Sequence, residues 1–226
     1  MARKTRPHRA ESPPPIGGKP LRVRKTRPNR AKPKAPISAK PPSLPVVVGV
    51  GASAGGLEAF TALLKHLPAD TGLAFVLVQH LDPHHESALT HLLASATSMP
   101  VTEVKNNQAV RANCVHVIPP NTSMSIERGA LKLAARSAKH SPLRSIDTFF
   151  ESLAMDSRER AIGVVLSGTA SDGTLGLEAI KAEGGITFAQ DQSAKYDSMP
   201  RRAMAAGCVD LVMSPRAIAE ELARMA

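Results

Sequence analysis

The chain has 226 residues, 42% apolar and 21% charged, enough for one sizeable α/β core plus a tail. Its formal net charge of +10 belongs to residues 1 to 45, where thirteen Lys and Arg face the single acid Glu11; the remaining 181 residues carry 16 basic and 18 acidic side chains, so the folded part is not a basic protein. Two cysteines, Cys114 and Cys208, exclude a disulfide framework, no stretch approaches the ~18 apolar residues of a membrane span, and the secretory h-region is missing, so the chain reads as cytoplasmic with no transmembrane segment.

Residues 1 to 45 hold eleven of the nineteen prolines and no aromatic residue. Such a segment buries too little apolar surface to offset its ordering entropy, and it reads as a disordered, basic, Pro-rich tail. It repeats itself once, as "RKTRPHRA" at 3 to 10 and "RKTRPNRA" at 24 to 31, which is too little for a solenoid. A polycation of this kind suits an anionic partner, whether an acidic protein, a nucleic acid or an anionic lipid, or serves as a solubilising linker. Without aromatic stacking platforms it is not expected to read single-stranded sequence.

From Val46 the pattern alternates short apolar runs with helical periodicities, which predicts an α/β doubly wound, mostly parallel sheet with helices on both faces. "VVVGV", 46 to 50, is the first strand; Leu57, Phe60, Leu64 and Leu67 then mark one helical face that ends before Pro68. "LAFVLVQ", 73 to 79, is the second strand, followed by a helix near 86 to 97 and a short strand at 101 to 104. "CVHVI", 114 to 118, is a further strand, and "SMSIE" with "ALKLA", joined at Arg128-Gly129, forms an inserted antiparallel hairpin. A helix at 145 to 157, a strand at 161 to 168, a helix at 174 to 183, a strand at 185 to 190, a helix from about 199, the strand "CVDLVM" and a last helix at 215 to 225 complete the chain.

Ligand sites of open α/β sheets lie beyond the carboxyl ends of the strands. Three polar residues occupy such ends: Ser53 in "GASAGG", His80 in "LVQHLDP" and Asp172 in "SGTASDG". A serine needs a positioned base, and that base needs an acid to fix its tautomer, so these three types at one rim point to nucleophilic acyl chemistry. The G-x-S-x-G of residues 51 to 55 sets Ser53 on a strand-to-helix turn, where free backbone N–H groups favour a developing oxyanion. The order Ser, His, Asp departs from the Ser, acid, His order of α/β-hydrolases. Structural roles compete for each residue: a helix cap for Ser53, a backbone-bonded histidine for His80, a turn acid before Gly173 for Asp172.

The glycines also invite a dinucleotide reading. Gly49, Gly51 and Gly55 are one residue too widely spaced for G-x-G-x-x-G, and the second strand ends in Gln79-His80 rather than an acid. No G-K-[ST] follows for a phosphate loop. His80, His84, His85 and His91 lack H-E-x-x-H spacing and a cysteine partner, so no metal is expected.

With these residues in this order, 46 to 226 closely resembles the catalytic domain of the bacterial chemotaxis protein-glutamate methylesterase, CheB. The matching stretches are "GASAGGLEA", "VLVQHLDP", "HVIPP", "VVLSGTASDGTLGLEAIKAEGG" and "YDSMPRRA". "GASAGG" and "QHLDP" are most similar to the form fused to a methyltransferase in hybrid signalling proteins. The resemblance implies hydrolysis of glutamate γ-methyl esters on chemoreceptor helices, and deamidation of receptor glutamines, in two-component signalling. It implies Ser53 as nucleophile, His80 as general base and acid, Asp172 as the residue orienting it, backbone N–H groups at Ala54 and Thr169 as oxyanion donors, and no metal or organic cofactor.

Three departures accompany it. Residues 1 to 45 are too short for the family's usual receiver domain; Ala54 follows the serine where Thr is frequent; and Ala170 stands where the turn before the acid usually has glycine. If that turn needs a positive φ, alanine adds strain of order 1 kcal/mol. The alternative reading is a non-catalytic adaptor with a degenerate esterase fold.

Overall fold

A computed structural model describes residues 44–79, 88–135 and 144–226. The tail expected at 1 to 45 falls, except for its last two residues, outside the described residues, as does His80.

β1 (Val47–Ala52) leads into α1 (Gly56–Leu64), and β2 (Ala74–Gln79) is followed by α2 (Ala88–Ala94) and β3 (Val101–Glu103). Next come β4 (Gln108–Ala109), β5 (Cys114–Val117), β6 (Thr122–Glu127) and β7 (Ala130–Ala135). α3 (Ser145–Ser157) precedes β8 (Ile162–Val165) and α4 (Thr174–Ala182); β9 (Ile186–Gln190), α5 (Ser198–Ala205), β10 (Leu211–Met213) and α6 (Pro215–Met225) finish the chain. Seven strands form one sheet in the order β10-β9-β8-β1-β2-β5-β3, with every pairing parallel.

Alternation along the central strands feeds a core on each face, as expected for a sheet covered on both sides. Val48, Val50, Phe75 and Leu77 pack with Phe60 and Leu63 of α1 and Ile218 and Leu222 of α6. Val47, Val76 and Val78 point the other way, toward Phe149, Phe150 and Leu153 of α3 and Leu177 and Ile180 of α4. Gly49 and Gly51 lie under α3: a Cβ on Gly49 would sit 2.9 Å from Phe150 Cε1, and one on Gly51 would collide with Ile146 Cγ2. These two glycines therefore admit a helix to the sheet, and their spacing reflects helix packing rather than a phosphate cradle.

The predicted hairpin is present, with Arg128 (φ 51°) and Gly129 (φ 71°) supplying the two positive φ values that a type I′ turn requires. It belongs to a separate three-stranded antiparallel sheet, β4-β7-β6, whose Met124, Ile126 and Leu131 pack with the core beneath α3. The pattern missed β4 because two residues carry no measurable alternation. Cys114 and Cys208 are buried free thiols. Among the described residues no helix is long and apolar enough to cross a membrane.

Candidate active site

β1 is extended on one side by β2 and on the other by β8, which the chain reaches only after building the β2-β5-β3 half. The boundary between β1 and β8 is the topological switch point, where a crevice opens at the carboxyl ends of the strands. Ser53 is the first residue beyond β1, and Asp172 lies in the turn after β8. Gln79, the last residue of β2, is in register with Ala52, so β1 and β2 end at the same level.

The Ser53 turn is fastened through its backbone. Ser53 N–H donates to Ser167 O (3.0 Å), and Ser53 O accepts from Gly56 N–H (2.8 Å) and Gln79 Nε2 (3.4 Å). The N-cap of α1 is Gly55 at φ 73°, with no side-chain cap. The cap position of α1 thus falls to Gly55 rather than Ser53, whose side chain is half-buried.

Ser167, 1% exposed, joins three segments. Its hydroxyl donates to Ala54 O (2.9 Å) and accepts Tyr196 N–H (3.0 Å), while its own N–H donates to Gln190 Oε1 (2.9 Å). Gly168 N–H donates to Tyr196 O (2.8 Å), and Met199 N–H to Gly168 O (3.1 Å). Ala54 and the exposed Thr169 therefore stand on two turns tied to each other through one hydroxyl.

Asp172, 3% exposed, sits on the amino end of α3: its Oδ2 accepts Ile146 N–H and its Oδ1 accepts Asp147 N–H, each at 2.9 Å. Asp147, equally buried, reaches back to α4, where its Oδ1 accepts Gly173 N–H and Gly176 N–H, both at 2.9 Å. Two helix amino ends thus converge on two carboxylates, an arrangement the helix dipoles favour. Burial still pushes the Asp147 carboxyl above its ordinary range, with the Asp172 charge acting in the same direction against the bond from Gly176. Ala170, in the same turn, has φ 70°, so the position expected to need a glycine is indeed left-handed.

The CheB methylesterase family's sequence model matches residues 48–222. The chain belongs to the CheB methylesterase family. It is 39% identical over 181 residues to a protein-glutamate methylesterase/protein-glutamine glutaminase of Burkholderia orbicola, a match covering 79% of this chain and 53% of that protein. The chain spans about half the length of the curated relatives it matches first, whereas a Leptospira interrogans relative, 33% identical over 180 residues, is covered over 92% of its length by a match spanning 78% of this chain. The crystal structure of the Thermotoga maritima CheB methylesterase catalytic domain superposes with a TM-score of 0.74 at 25% identity, over 80% of this chain and 99% of that one.

Within this CheB domain, sequence reasoning passed over Asp147, Ser167 and Gln190. Asp147 looks like an ordinary first-turn acid of α3, and only its bonds to α4 distinguish it. Ser167 follows β8 and Gln190 ends β9, and the hydrogen bonds that join Ser167 to Ala54 and to Gln190 span 113 and 23 residues, beyond the reach of any local pattern.

Proposed function

We propose that this CheB domain is a serine carboxylic-ester hydrolase that removes methyl groups from glutamate γ-methyl esters of chemoreceptor helices and deamidates receptor glutamines, acting in the cytoplasm. Ser53 Oγ attacks the ester carbonyl while His80 takes its proton, and Asp172 orients and balances the imidazolium. The carbonyl oxygen, now negative, is received by the Ala54 and Thr169 N–H groups. Collapse of the tetrahedral intermediate expels methoxide, which leaves as methanol with the proton from His80. Water, deprotonated by His80, then attacks the acyl-serine, releasing glutamate and restoring Ser53.

The observation that carries this reading is the placement of Ser53 and the Asp172 turn on either side of the switch point, with Gln79, the residue before His80, in register with Ala52. The buried Asp172 carboxylate adds support: two helix N–H bonds hold it in the turn after β8, where the acid that orients the base is expected. The test is methanol release from methylated receptor, with trapping by a serine-directed phosphonate as a second readout. Wild type should release methanol and be trapped, and Ser53→Ala should do neither. An alanine variant that releases methanol at the wild-type rate removes Ser53 from the mechanism.

A further inference from the structure

Neither helix at the switch point supplies its own amino-terminal cap. α3 begins after Arg144 and α4 after Gly173, and neither residue's side chain accepts a first-turn N–H; Arg144 instead donates to Glu151 Oε1 (2.9 Å) and pairs with Asp147 Oδ2 (3.5 Å). The first-turn N–H groups must find acceptors or lose their hydrogen bonds on burial. Each helix takes its acceptor from the other: Asp172 serves Ile146 and Asp147, and Asp147 serves Gly173 and Gly176. The exchange is possible because Gly176 carries no side chain; a Cβ there would strike Phe150 Cβ and separate the helices.

The turn between β8 and α4 is held poorly by local preference, since it passes through left-handed φ at Ala170 (70°) as well as at Gly173 (94°). We propose that Asp147 is a positioning residue of the esterase: by accepting the N–H groups of Gly173 and Gly176 it locks the turn over residues 169–173, so that the Asp172 carboxylate and the Thr169 N–H keep their places at the crevice. The inference rests on the reading of Ser53, His80 and Asp172 as the reacting set. Asp147 acts through that turn and touches no reacting atom.

The position of the acceptor, more than its charge, is what this role demands. Asp147→Asn keeps a carbonyl oxygen within reach of both N–H groups, whereas Asp147→Glu keeps the charge and displaces the oxygens by one methylene. Methanol release from methylated receptor should show kcat for the Asn variant within about threefold of wild type and for the Glu variant lower by about 10- to 100-fold, with KM little changed in either. Ser214→Ala, which removes the α6 cap bond to Ala217 N–H (3.3 Å), is the stability control and should lower Tm while leaving kcat unchanged. A Glu variant as fast as wild type, an Asn variant as slow as the Glu variant, or a Ser214→Ala loss in kcat equal to that of the Glu variant overturns the proposal. Ser53→Ala is run beside them: a wild-type rate there overturns the esterase reading and this inference together, whereas failure of the Asp147 series with a dead Ser53→Ala overturns this inference alone.

Discussion

Ala170→Gly should make the protein more stable, although Ala to Gly is ordinarily destabilising. Ala170 has φ 70° in a turn where glycine carries no Cβ penalty. Holding an alanine in the left-handed region costs about 1–2 kcal/mol, and the added freedom of glycine in the unfolded chain returns about 0.4–1 kcal/mol of that, so the net gain is about 0.5–1 kcal/mol. For a domain of this size that corresponds to a Tm rise of roughly 1–4 °C. Thermal unfolding of wild type and variant under identical conditions measures it, with Ala179→Gly inside α4 as the comparison. The helical substitution should lose about 0.5–1 kcal/mol, opposite in sign. If both variants lower Tm alike, the turn carries no left-handed strain at Ala170 and the reasoning fails.

Ser167→Ala deprives Tyr196 N–H of its acceptor and Ala54 O of its donor, and should cost about 1–3 kcal/mol in urea unfolding. Because the same hydroxyl ties the turn of Ser53 to that of Thr169, kcat for methanol release should also fall about tenfold or more, with Ser167→Thr retaining most of both; an alanine variant indistinguishable from wild type refutes the link. His116 is fully buried in β5, with Nε2 accepting Arg111 N–H (3.2 Å) and Nδ1 3.2 Å from Gln108 Nε2, and burial pushes its pKa down. The folded state therefore resists a proton that the unfolded chain takes up near about 6.5, so the stability His116 contributes is complete above that pH and declines as pH falls through it. Urea midpoints of wild type and His116→Gln should draw together between neutral and mildly acidic pH; a constant gap contradicts this.

How far the site was readable depended on how local each signal is. The strand-to-helix turn at Ser53 and the acid before Gly173 are short-range motifs; Ser53 directly follows β1, and Asp172 lies in the turn between β8 and α4. Ala170 was legible as a conformational demand, because only a turn that needs positive φ makes that alanine unusual, and its φ of 70° meets the expectation. The spacing of Gly49, Gly51 and Gly55 already argues against a dinucleotide fingerprint, and Ile146, Phe149 and Phe150 lying on Gly49 and Gly51 supply the packing reason for those two glycines. Strand β4 escaped notice because Gln108 and Ala109 acquire their pairing only from β7, more than twenty residues later.

From the amino-acid order alone came the alternation of strands and helices, the separation of a basic, proline-rich stretch from a near-neutral domain, and the three candidate residues. Those follow from periodicity, charge and turn chemistry, which are properties of neighbouring residues. Folding decided that β8 returns beside β1, which puts the Ser53 turn and the turn carrying Asp172 at the ends of adjacent strands. It also decided that Asp147 and Asp172 exchange helix caps and that one buried hydroxyl at Ser167 joins the two turns. Those contacts join residues 25 to 113 positions apart, so their energy depends on close packing of the whole sheet and its helices and leaves no trace in any short window of sequence.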